Sequence, residues 1–140
     1  MENQKITWVS ITFADRISRN KNPEYVLDLI IVSWKEIDQA LRPIIGRGGI
    51  EALFHHSVEI TAQAYPWLIA ASSDVHSAFD LDALRHALTK ENTSHFAGAS
   101  DSLLLNFYHL LSNLIGLSLT DRLLRPVLDP LLNGTAAKDI

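Results

Sequence analysis

The sequence predicts an all-α fold: a four- to five-helix bundle of two antiparallel helical hairpins, preceded by a short extended N-terminal arm. Three observations predict it. Apolar residues recur at helical spacing over 26–41, 50–64 and 103–117. Asparagine, proline and glycine stand where these stretches begin and end. A pattern also returns at a fixed interval. Ile44-Ile45-Gly46, followed by Glu51, Leu53 and Phe54, reappears 70 residues later as Leu114-Ile115-Gly116, followed by Asp121, Leu123 and Leu124. Each copy reads as an apolar helix, a glycine stop and a second apolar helix. Only Leu41/Leu111, Ile45/Ile115, Gly46/Gly116 and Leu53/Leu123 are identical between 34–61 and 104–131. The repeat is therefore read as geometry, with ancestry left open.

Residues 5–13, Lys-Ile-Thr-Trp-Val-Ser-Ile-Thr-Phe, are β-branched and aromatic and suit a short strand. No other segment reads as strand, so its backbone groups need partners elsewhere. Helix one starts at Asn22-Pro23, a favoured cap followed by a proline suited to the first helical position. Val26, Leu27, Leu29, Ile30, Ser33, Trp34, Ile37, Ala40 and Leu41 form one face. Tyr25, Ile31 and Val32 fall on or beside the polar side. Pro43 and Gly46 end the helix.

Helix two runs from Gly48 or Gly49 to Tyr65, with Ile50, Leu53, Phe54, Val58 and Ile60 inward and Glu51, His55, His56 and Glu59 outward. Residues 66–79 read as an irregular link, and Asp80 caps a short third helix carrying Leu81, Leu84 and Leu88. A second link includes Asn92, Thr93 and Gly98. Helix four, from Ser100 to Leu117, has the widest apolar arc, which includes Leu114 and Leu117 and belongs to a helix surrounded by protein. Ser118 with Asp121 forms a capping box for helix five, which Pro126 kinks or breaks and Asn133-Gly134 ends. The division is thus an arm and linker over 1–22, a bundle over 23–133 and a frayed tail over 134–140.

Composition excludes several functions. A chain of 140 residues makes one domain. It buries roughly 68% of its unfolded surface without a metal or disulfide. With no cysteine there is no disulfide, thiolate nucleophile or zinc-thiolate site. The polar start, Met1-Glu2-Asn3-Gln4-Lys5, lacks a signal-peptide core, and a cytoplasmic protein is expected. Asn106, His109 and Asn113 interrupt the most apolar run, so no membrane span is expected. A net charge of −4, with only Arg16, Arg19 and Lys21 as a local basic group, disfavours nucleic acid.

Four patterns carry candidate chemistry. Glu51, His55 and Glu59 share a helix face, beside His56, a composition suited to a metal. Paired-helix metal sites point their ligands into a bundle, whereas these point outward, and no metal is expected. His109-Leu110-Leu111-Ser112-Asn113 resembles the His-x-Leu-Lys-Gly pattern of histidine phosphotransfer domains, which are four-helix bundles of about this size. The resemblance implies His109 as phosphoryl acceptor; Ser112 replaces the family's lysine and Asn113 its glycine. Val32-Ser33-Trp34-Lys35-Glu36-Ile37 is similar to the first helix of many globins, which would imply haem. No histidine is placed as its proximal ligand, and no cofactor is expected. Arg47-Gly48-Gly49 opens helix two, where backbone N–H groups meet anions, but one arginine and two glycines suit a plain turn.

Nucleophile-elbow, phosphate-loop and His-Glu-x-x-His patterns are absent, so an enzyme is not expected. Apolar area on a wet face remains: Tyr25, Ile31 and Val32, with Trp8, Ile11 and Phe13 on the arm. The expectation is a non-catalytic regulatory or protein-interaction module, a homodimer through these residues or the partner of another protein. An arm folded over its own first helix is the competing arrangement. The phosphotransfer domain using His109 and a small-ligand sensor with a pocket near Trp34, Phe54, Phe107 and Tyr108 are the alternatives.

Overall fold

The structure, a computed structural model, describes residues 13, 15, 22–72 and 80–130. Among them the elements are α1 (Pro23–Thr61), a 3-10 helix (Pro66–Ser72), α2 (Leu81–Thr89), α3 (Thr93–Ile115) and α4 (Leu117–Asp129), with no strand. The all-α bundle is therefore the fold. Trp8 and Ile11, with most of the arm and the tail from 131, lie outside the described residues. Phe13 and Asp15 are helical, which corrects the extended reading at Phe13.

α1 comprises two helical stretches joined at Gly46, whose φ of 76° and ψ of 168° are not helical. A straight helix would set Trp34 and Phe54 about 30 Å apart along its axis. Their ring centroids are 5.2 Å apart. The chain therefore folds back at Gly46, and 23–45 lies beside 47–61. Pro43 sits inside the helix without ending it. Gly116 repeats the device between α3 and α4, with φ 94° and ψ 149°. Across it the Tyr108 hydroxyl donates to the Asp121 carboxylate.

The 70-residue interval extends further than the sequence pattern showed. Asn22 caps α1 by accepting from the Tyr25 N–H, and Asn92 caps α3 by accepting from the His95 N–H. Of the twelve buried residues described between 92 and 128, eleven have a buried counterpart 70 positions earlier. Trp34/Leu104, Ile37/Phe107, Leu41/Leu111, Ile50/Thr120, Phe54/Leu124 and Val58/Leu128 are among them. Positions 70 residues apart are thus buried alike in the two halves of the bundle.

Residues ahead of each unit's first long helix cross over to the other unit. The Phe13 N–H donates to Asp101 of α3 at 2.8 Å. Arg85 of α2 pairs with Asp28 of α1. Each unit's leading segment therefore lies on the other unit's first long helix. Ile31 is buried in the core cluster, which corrects its placement on a wet face.

Local chemistry explains the remaining differences from expectation. Asn92 starts α3 at once, so the expected second link is helix. Asp80 caps α2 as expected, accepting from the N–H groups of Asp82 and Ala83. Residues 66–72 form a 3-10 helix instead of irregular chain. No side-chain cap bond starts α4, because its N-cap is Gly116, which has no side chain, and Ser118 lies inside the helix rather than at the cap of a capping box. Pro126 is accommodated within α4 and is exposed.

Candidate functional site

The centre of the bundle is aromatic. Trp34, Phe54 and Phe107 are buried, and Trp34 meets the other two edge to face at centroid distances of 5.2 and 5.1 Å. At these separations the rings touch each other, an arrangement that contributes about 0.5–1.5 kcal/mol per pair beyond area burial. Trp34, the residue of the globin-like segment, thus packs against two phenyl rings. Buried hydroxyls beside them are satisfied within their own helix: Ser33, Ser57 and Thr61 donate to the carbonyls of Leu29, Leu53 and Ser57. Thr61 also accepts from Asn106 Nδ2 at 2.9 Å, tying the end of α1 to α3.

His109 is half-buried, its ring 5.9 Å from that of Tyr108. Ser112, one turn on, has a hydroxyl that is buried without a hydrogen-bond partner. The histidine face of α1 is wet at His56 and Glu59. His55 approaches Glu59 at 3.2 Å, and Arg47 bonds Glu51 at 3.1 Å. Both are four-residue helical pairs, which contribute little at a surface. Among the described residues no group of three histidine or acidic side chains is placed to share a metal. None of the described helices is long and apolar enough to cross a membrane.

A cleft gathers Asp38, Arg42, Arg47, Ile50, Glu51 and Leu81 around the first turn. Arg42 pairs with Asp38 at 2.6 Å and Arg47 with Glu51 at 3.1 Å. Two cations and two carboxylates give it no net sign. The equivalent positions of Asp38 and Glu51 in the second unit are Tyr108 and Asp121, which bond directly. One turn is thus tied by a neutral-to-charged hydrogen bond and the other is flanked by ion pairs.

Among the described residues three of the five exposed large hydrophobics flank the glycine turns, the others being Val32 and Ile69. Leu114 is 59% exposed, Leu117 58% and Ile44 48%. Ile44 and Leu114 are equivalent positions of the repeat, each two residues before its glycine. This corrects the reading of Leu114 and Leu117 as inward-facing. Helical periodicity assigns a face but not where the neighbouring helices stop, and at a turn the face has run past its neighbours. The glycine stops themselves were the available signal. Of the residues expected to form an interaction surface, Phe13 and Ile31 are buried in the chain's own core and Tyr25 packs partly against it. Val32, 39% exposed, stays at the surface.

No known family matches this sequence, and comparison with curated proteins and with solved structures likewise found no match.

Proposed function

We propose that this chain is a non-catalytic helical module that works through protein contact, with a second copy of itself as its simplest partner. One observation supports the reading above others: large aliphatic side chains stand exposed at both glycine turns, at Ile44 and at Leu114 with Leu117. Burying each such side chain is worth roughly 1.5–3 kcal/mol, so a partner that covers the pair at the second turn gains a useful fraction of a binding energy. The ionisable groups beside the first turn pair cation with carboxylate, which suits a contact surface better than a site that must hold one charge.

Light scattering after size exclusion, across a concentration series, tests this on the full chain. A dimer that strengthens with concentration is expected. The double variant Leu114→Glu/Leu117→Glu should be monomeric at the same concentrations while keeping its helical circular dichroism. A wild-type chain that stays monomeric at the highest concentration removes the self-association reading. A dimer unaffected by the two glutamates removes the turn surface.

A further inference from the structure

We propose that the two units of this chain are interchangeable between molecules: the surface by which each unit packs on the other accepts the corresponding unit of a second copy. The units match in their asparagine caps, in the backbone at Gly46 and Gly116, and in eleven of twelve buried positions. More telling is how they meet. In a two-fold pair, if residue i of one partner touches j of the other, then j touches i in return. Shifted by 70, the contact of Phe13 with Asp101 becomes a contact of position 83 with position 31. The observed contact of Arg85 with Asp28 lies within a turn of it. These two contacts between the units therefore have the reciprocity of a homodimer interface, here carried within one chain.

Such an interface makes no distinction between a unit on the same chain and a unit on another. Two chains that exchange units rebuild two bundles with the contacts between the units re-formed, such as Phe13 with Asp101 and Arg85 with Asp28. What opposes exchange is connectivity: a tethered unit sees its partner at an effective concentration in the millimolar range for a short link. Exchange is therefore favoured when chains fold together at high concentration and is slow once each bundle has closed. It involves the internal faces, and the leucines at the turns take no part.

The chain has no cysteine, so single cysteines report the contact directly. Asp28 and Arg85 are exposed enough to replace, with side chains 63% and 40% accessible. Full-length Asp28→Cys and Arg85→Cys chains, each also carrying Leu114→Glu and Leu117→Glu to remove association through the turns, are unfolded, mixed and refolded at high concentration. A short bis-maleimide is then added. Exchange predicts a cross-linked heterodimer well in excess of either homodimer, because position 28 of one chain meets position 85 of the other. A single chain carrying both cysteines should cross-link internally. A heterodimer no more abundant than the homodimers overturns the proposal. Failure of the double-cysteine chain to link internally overturns it too, by removing the contact on which exchange depends.

Discussion

Gly46 and Gly116 hold backbone angles that essentially only glycine adopts, in a region where another residue costs about 1–3 kcal/mol. No atom within 4 Å would meet a Cβ added at either position, so the penalty is one of backbone strain and not of space. Gly46→Ala and Gly116→Ala should each lower stability by about 1–3 kcal/mol in urea titrations. Gly48→Ala is the control. It is helical, with nothing near its Cβ, and should be neutral or stabilise by up to about 1 kcal/mol. Equal effects at all three positions would show that the turns do not depend on the glycines. Trp34 lies at the opposite extreme, buried between two phenyl rings, and Trp34→Ala should cost about 3–5 kcal/mol. The buried status of Trp34 was legible from its place on an apolar face. The exposure of Leu114 was not, because the same periodicity that marks an inward face continues to the end of the helix.

At the scale of elements, caps and ties set where helices begin and turn. Asn92 accepts its cap bond at 3.0 Å and Asn22 at 3.4 Å, the latter beyond the usual range for such bonds. Asn92→Ala should therefore cost about 1 kcal/mol and Asn22→Ala distinctly less, both read from denaturation midpoints. The second turn has a tie of its own. Tyr108→Phe removes the hydroxyl that bonds Asp121 and should destabilise by about 1.5–3 kcal/mol, as expected for a hydrogen bond to a charged acceptor. Asp38→Ala in the exposed ion pair with Arg42 should change stability by less than about 1 kcal/mol. The Asn22 cap was legible because Pro23 follows it. Asn92 has no such marker, and its segment read as a link. The Tyr108–Asp121 bond joins residues on separate helices, a pairing that local spacing does not reveal.

For the whole molecule, two units covering each other explain why α1 and α3 are buried on more than one face. They also explain why Ile31 is interior although helical geometry alone puts it toward water. The phosphotransfer alternative belongs to this scale, since it needs a partner kinase. His109→Gln should leave helicity and self-association unchanged, and neither protein should take up phosphoryl label. Label on the wild type that is lost in the variant would replace the contact reading with the catalytic one. By itself the amino-acid sequence determined the helical class, the position of both glycine turns, most of the buried residues and the 70-residue interval, because these depend on side-chain periodicity and on backbone preferences of single residues. Tertiary structure alone decided which second face of each long helix is covered, that Phe13 and Arg85 each reach across to the other unit, and that aliphatic side chains emerge at the turns. Those outcomes depend on where one helix ends relative to another, and no local pattern encodes the end of a neighbour.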